Sequence, residues 1–530
     1  MLDCAPPAVA RFLVTCVVTG ILMLGFAAGA QAISKPIAIG SNASGLPSTP
    51  AIAVDSTGTV YTAWLNPQTS TTLTFCKLPV GAIKCNPVVL TVPDPSQALG
   101  FDPPSVLVNG SDVYVFEYVD GDLDNGNENG MNEWVSTDGG ATFTAVPYAV
   151  SYTEVGDSTG TGPMPVVELP NGSFGFGYVT AVGNPLFQTN TISAPQDYSP
   201  GAYPGTSPPP PVAMLNPSPN NYTVGNLGGD IVSQLSGTTG LLGVFQLIES
   251  GPCPSDEGLV YTFASADSST SDAALDTSPG AGSPWSPLGS VQCNTEYPAL
   301  ASGTSGLSLL YTNDASLTHT TTQFRRFTPP ATFGGAVTVA AGAAIQPSLN
   351  QNGAGDLYAT WINNSTGLRL AYSQNGSKWY GPVTLFSEKG GAVGIDGVAS
   401  SVGATGQGWA VFESGGTEYA QPFDAADALP PADSHLKLAP KSFSASKGTT
   451  LHYADTEAAT TTFKALLLVK GHKPKAIGTF HHTDHVGTNS FHWNGKASGH
   501  TLAPGSYELE ATPKLGSLTG KTVSVKFTVT

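Results

Sequence analysis

Along most of the chain one pattern of apolar and polar positions recurs. A short apolar run, often opened by proline, leads into a polar turn containing glycine, and then into a run that is apolar on both faces. The first copy is PAIAVDSTGTVYTAW at residues 50–64. Further copies begin at Pro104, Pro165, Asp230, Pro298, Pro347 and Gly397. Runs this short, rich in Val, Tyr, Thr and Trp and bounded by Gly, predict strands rather than helices. In the second strand of the first copy, Val60, Thr62 and Trp64 point to one side and Tyr61, Ala63 and Leu65 to the other. Both sides carry apolar groups, so such strands belong inside a stack of sheets.

The spacing of the seven starts is too long for a two-strand hairpin and suits a four-stranded unit with loop insertions. The fold class expected is therefore all-β: a β-propeller of seven blades, with six as the alternative, over residues 33–424. The last copy runs out of chain before four strands are complete. The leading segment KPIAIGS at residues 35–41 is the expected donor of the missing strand, which would join the chain ends in one sheet. Residues 185–219, with prolines at 208–211, read as a surface excursion. Residues 425–434 read as an Ala/Pro-rich linker. Residues 435–530 alternate strongly and predict a small β-sandwich.

Ahead of the repeats, Arg11 precedes an uncharged, mostly apolar run to Gly29 and then Ala30-Gln31-Ala32. This is the pattern of a secretory signal, residues 1–32, cut after Ala32; an uncleaved anchor helix is the alternative. No second apolar run of spanning length follows. Export leaves Cys76, Cys85, Cys253 and Cys293, and proximity favours the disulfides 76–85 and 253–293. Charge divides sharply: residues 33–434 hold 8 basic and 32 acidic side chains, residues 435–530 hold 11 lysines and 5 acids. An acidic body is unsuited to nucleic acid, whose phosphates need clustered cations. A basic tail suits an anionic cell-envelope polymer.

Two segments carry a family resemblance. STDGGATF, with Ser136, Asp138, Gly140 and Phe143, resembles the Asp-box S-x-D-x-G-x-x-W of sialidase-like propellers, Phe replacing Trp. SQNGSKW, with Ser373, Asn375, Gly376 and Trp379, is a shortened copy. The resemblance implies a structural role at the turn joining the outer two strands of a blade. The tail, particularly LAPGSYELEA, resembles the Ig-like or fibronectin-like modules of bacterial surface proteins. Sialidases grip the substrate carboxylate with three arginines from separate blades and attack with a Tyr activated by Glu. Here only Arg325, Arg326 and Arg369 follow residue 32, adjacent Arg325 and Arg326 must face opposite sides of a strand, and the family's Arg-Ile-Pro motif is missing.

Other glycosidases need two carboxylates across a cleft. Acids near strand ends are Glu117, Glu154, Asp157, Glu249 and Glu413, with no pair singled out by sequence. The densest constellation is DGDLDNGNENGMNE, in which Asp120, Asp122 and Asp124 alternate and offer hard oxygen donors for calcium, although Asn125 stands where an EF-hand loop has Gly. His481, His482 and His485 beside Asp484 fit a polar hairpin turn better than a transition-metal site. The expectation is a secreted or cell-surface recognition protein for an extracellular glycan or protein. The alternatives are an extracellular glycoside hydrolase or lyase on the same scaffold, and a structural surface protein.

Overall fold

The computed structural model describes residues 35–92, 98–152 and 295–530 apart from short breaks, and between 166 and 287 the strand backbones alone. The signal segment, Asp122, Asp124, Glu154, Asp157, Cys253 and Cys293 lie outside the described residues. Of Asp120 and Glu249 only the backbone is described.

Each repeat becomes one antiparallel sheet. The first holds Ala51–Val54, Val60–Leu65, Thr72–Leu78 and Val88–Thr91 in that order. The second is built on Ser105–Asn109, Asp112–Gly121, Asn129–Ser136 and Thr144–Tyr152, with Ala98–Phe101 also pairing Asp112–Gly121. The third and fourth begin with Val166–Glu168 and Asp230–Leu235, and the fifth with Thr295–Ala301. The sixth runs Ile345–Gln351, Leu357–Asn363, Gly367–Ser373, Tyr380–Ser387. The seventh takes Ile395–Val402, Gly408–Ser414 and Thr417–Phe423 from its own repeat, and its fourth strand, Ile37–Ser41, from the start of the chain. First strands of consecutive sheets lie side by side, and that of the seventh adjoins that of the first. The arrangement is propeller-like.

Burial explains why the strands are apolar on both faces. Tyr61 and Ala63 pack with Val106, Val113, Val115 and Trp134 of the second sheet. Val60 and Trp64, on the other side, pack with Ile39, Trp409, Val411 and Ala420 of the seventh. The first sheet is thus held between its sequence neighbour and the far end of the chain. Thr62, fully buried on the same strand, donates its hydroxyl to Ala51 O at 2.7 Å, so its polar atom costs little there.

The polar turn after the first strand also repeats. In the turns at Asp55, Gly303, Asn352 and Gly403, the amide of the residue three positions on donates back to the first carbonyl at 2.9–3.0 Å. That residue is glycine each time, Gly58, Gly306, Gly355 and Gly406, with φ between +86° and +92°, a conformation that side chains with a Cβ resist. The turns bond to one another: Thr304 Oγ1 to Gly353 O at 3.4 Å, Ser305 Oγ to Gly355 O at 3.1 Å, and Gly353 N to Ala404 O at 3.1 Å.

Both Asp-box turns sit between third and fourth strands and clamp a phenylalanine of the preceding sheet. Gly140 N donates to Ser136 Oγ at 2.8 Å; Ala141 N and Thr142 N donate to Asp138 Oδ1, each at 2.9 Å. Hydrogen bonds from Thr142 and Ser136 to the ionised form hold the Asp138 carboxyl well below the usual range. Phe143 meets Phe75 edge to face at 4.7 Å. In the shorter turn Gly376 N donates to Ser373 Oγ at 2.8 Å, and Trp379 meets Phe324 at 5.2 Å. Asn375 accepts from Ser377 N at 3.0 Å in place of the aspartate's bonds.

Two expectations change. Pro185–Asn190, inside the stretch read as an excursion, is a strand paired with Phe174–Val179; its proline stands first, where a missing N–H is tolerated, and LFQTN continues the ladder. The stretch read as a linker contains a capped helical turn, Ala425–Ala428. Asp424 Oδ1 accepts from Ala426 N at 2.7 Å and Asp427 Oδ2 from Asp424 N at 2.9 Å. Ala428 is fully buried in the core shared by the sixth and seventh sheets, against which Leu518 of the tail also packs.

The tail is two sheets around one core. Asp433–Ala439, Thr449–Asp455 and Gly487–Trp493 form one, and the other is ordered Ser442–Phe443, Val523–Val529, Gly505–Leu515, Thr460–Leu467, Lys475–Thr483. Leu451, Tyr453 and Trp493 from the first meet Phe463, Leu509 and Phe527 from the second.

Gly140 and Gly376 have φ of +84° and +73°, and a Cβ on them would stand 2.8 Å and 2.4 Å from the rings of Phe75 and Phe324. Gly140→Ala and Gly376→Ala should each destabilise by about 2 kcal/mol or more, whereas Gly110→Ala, at φ +61° in open space, should cost roughly 1 kcal/mol. Urea unfolding of the three variants checks the ranking.

Candidate functional site

The arginines are all in third strands and all engaged locally. In Thr320–Thr328, Arg325 Nε donates to Tyr311 Oη at 2.9 Å, while Arg326, on the opposite face, donates to the carbonyl and, at 3.0 Å, to the hydroxyl of Ser305. Arg369, in the sixth sheet, donates to Thr384 Oγ1. No common point receives the three, so the clamp that a substrate carboxylate needs is not assembled.

Among the acids, Glu117 and Glu413 lie in second strands, Glu413 one residue from its strand's end, and both are buried. Sequence reasoning missed Glu133 and Glu418, each 0 % exposed. Glu117 lies opposite Asn132 and Glu133 opposite Phe116, so the two glutamates face opposite sides of the second sheet. Burial pushes Glu133 up to about 8. Glu413 and Glu418 are directly opposite each other across the hairpin of the seventh sheet, with Glu413 accepting from Gly416 N.

Cys76 and Cys85 form a disulfide, with Cα atoms 5.9 Å apart. The three histidines do not converge. His481 reaches Thr462 at 3.0 Å on an exposed face, His482 stacks on Phe491 at 4.1 Å, and the His485 amide is held by Asn489 at 3.0 Å.

The densest chemistry in the described residues is instead in the tail, where Asp433, Asp455 and Asp484 meet. Asp433 opens the first tail strand and lies directly opposite Asp455, the last residue of its partner strand. Asp484 follows Lys475–Thr483 on the other sheet. One ligand oxygen from each lies within 4.8 Å of the others, and the residues are 6 %, 3 % and 5 % exposed. Backbone bonds pin the three segments: Thr456 N to Ala432 O at 3.2 Å, Asp484 N to Ala459 O at 2.9 Å, and a parallel bridge between Asp455 and Val486.

Asp484 is satisfied by the Tyr453 hydroxyl, by His482 Nδ1 at 2.8 Å and by Thr461 Oγ1 at 2.6 Å. Thr461 Oγ1 also lies 3.2 Å from Asp433 Oδ2, and Asp455 Oδ1 accepts from Glu457 N at 3.0 Å. Asp433 Oδ1 and Asp455 Oδ2 are buried and accept no hydrogen bond from a donor group, and the Asp484 carboxyl stands beside that of Asp455. Among the described residues no Lys or Arg makes a salt bridge to the three, and His482 Nδ1 is the basic group within ion-pair distance of Asp484. Burial, then the charge of Asp455, pushes Asp433 up to about 7; burial also raises Asp455, and raises Glu457 to about 7 with help from Asp424 and Asp427. Like carboxylates this close cannot all stay ionised without a shared proton or a cation.

No family model matches the chain, and no curated protein matches it. Among solved structures it is similar to a Penicillium chrysogenum alpha-L-arabinanase complexed with arabinobiose, at 9 % identity and a TM-score of 0.40, over 75 % of this chain and 100 % of that one. An Aleuria aurantia lectin in complex with Fucalpha1-6GlcNAc matches at 10 % identity and 0.37, over 72 % and 93 %. A Hadza microbial sialidase matches at 14 % and 0.38, over 69 % and 76 %. No helix among the described residues is long and apolar enough to cross a membrane.

In chelator, the raised carboxylates make a specific pH dependence. The folded chain holds protons on Asp433 and Glu457 up to about pH 7, while the unfolded chain releases them near 4. Stability is therefore greatest at or below the unfolded value and declines as pH rises from about 4 to 7. Thermal melts with chelator at pH 5 and pH 8 should show the lower midpoint at pH 8, with a smaller drop in Asp433→Asn. An equal drop in wild type and variant would contradict this assignment.

Proposed function

We propose that the chain is an exported recognition protein: a seven-bladed propeller that binds an extracellular glycan or protein, carrying an Ig-like tail whose lysines hold it to an anionic envelope polymer. The observation that carries this reading is how the cations of the wheel are engaged. Arg325, Arg326 and Arg369 bond to Tyr311, Ser305 and Thr384 of their own sheets, and Lys77 donates to Gly139 O of the next sheet at 2.8 Å. These groups stiffen and join sheets instead of gathering around a substrate. A repeat scaffold with these four cations so engaged suits binding through loops and shape.

A second reading, a glycoside hydrolase, is favoured by one feature, the cross-strand pair Glu413 and Glu418. Two facing carboxylates are the minimum equipment of that chemistry. Their burial at 4 % and 0 % exposure argues for a role within the sheet.

A glycan array followed by reducing-sugar assays on whatever is retained separates the readings. The recognition reading expects retention without release of sugar and the same retention in Glu413→Gln. Sugar release by wild type that is lost in Glu413→Gln would establish the hydrolase. Retention of the full chain on wall polymer at low salt, lost at about 0.5 M salt where surface charges are screened, is expected of the basic tail.

A further inference from the structure

We propose that Asp433, Asp455 and Asp484 form a binding site for a hard divalent cation, calcium by its chemistry, where the tail's first strand enters from the propeller-like body. Three carboxylates converge from three segments that are already fixed to one another by backbone bonds. Two of their oxygens, Asp433 Oδ1 and Asp455 Oδ2, are buried without a donor. A native fold leaves few such atoms, and a cluster of them on neighbouring acids is what a bound cation would satisfy.

The donor set selects the ion. Every group of the trio offers oxygen, which suits calcium or magnesium over zinc or copper. His482 Nδ1 and the Tyr453 hydroxyl bond to Asp484 and orient that carboxylate as outer partners. The Thr461 hydroxyl, between Asp433 and Asp484, is a further neutral oxygen beside the site. Three carboxylates fixed by their strands and largely closed off from water suit calcium, which adapts to the ligands offered, better than magnesium, which demands a near-ideal octahedron and keeps several waters.

Position gives the site a consequence. Asp433 lies on the path into the tail from the capped turn, in which Asp424 and Asp427 each accept a backbone hydrogen bond from the other end of the turn. Cation binding would neutralise the acidic end of the tail that faces this turn and fix the joint between the two parts.

The test uses the full chain, with calcium as the probe. Calorimetry on wild type, Asp433→Asn and Asp455→Asn should show one calcium fewer in each variant. The loop variant Asp122→Ala, Asp124→Ala serves as a separate control and should retain this site. Thermal midpoints provide a signature that a merely structural cluster would not produce. In chelator at pH 8, Asp433→Asn should melt above wild type because one repelling charge is gone. In millimolar calcium the order should reverse, with wild type gaining roughly 5 °C or more. Terbium substituted for calcium should luminesce through Tyr453, and Tyr453→Phe should lose that emission while still binding the ion. Equal calcium stoichiometry in wild type and both Asp→Asn variants, or a variant that melts above wild type with and without calcium, would overturn the proposal.

Discussion

Among the described residues the sheets of the body pack through both faces, as the first sheet does, and that single constraint governs the rest of the body. A sheet with two apolar faces has no stable existence alone; it must be covered on both sides by other sheets. In a linear stack the two end sheets would remain exposed. Here the first sheet is covered by the second through Tyr61 and Ala63, and by the seventh through Val60 and Trp64. The leading strand Ile37–Ser41 completes that seventh sheet. Gly40 is needed in that strand for fit: a Cβ there would stand 2.4 Å from the Trp64 ring.

The remaining devices serve the same joint between sheets. The glycine turns bond to the turns of the neighbouring repeat, and the two Asp-box turns lay an aromatic ring on a phenylalanine of the preceding sheet. Arg326 reinforces the turn at Ser305, which in turn bonds Gln351 and Gly355 of the sixth sheet. Arg326, Ser305 and Gln351 are thus engaged in holding the fifth and sixth sheets together.

Much of this was legible in the sequence because it is local. Alternation along YTAW or YELEA fixes which residues share a face, a glycine three positions after Asp55 or Asn352 marks the turn, and the Ser136-to-Phe143 spacing marks a box. The carboxylate trio was not legible. Asp433, Asp455 and Asp484 each stand at a strand end, where a single acid reads as a solvated turn residue, and only the pairing of Asp433 with Asp455 across the ladder and the crossing of the second sheet bring them together. The conspicuous run Asp120 to Asp124 drew attention instead because its residues are adjacent. The linker stretch is more ordered than its composition suggests for a related reason: Ala and Pro suggest slackness, but Asp424 and Asp427 cap each other and Ala428 is buried. Burial of a small residue leaves no trace in composition.

The two parts of the chain therefore meet through a structured turn with an acidic end of the tail beside it, and the body depends on closure of its ring. The most direct test of that dependence is amide hydrogen exchange on a chain that starts at residue 33 and on one that starts at residue 42. Removal of the leading strand should lower protection in Thr417–Ala420, which loses one of its two ladder partners, and in Val60–Leu65, whose Trp64 face rests on Ile39, while the tail strand Gly505–Leu515 keeps its protection. Unchanged protection in Thr417–Ala420 and Val60–Leu65 would contradict a ring closed by its own first strand.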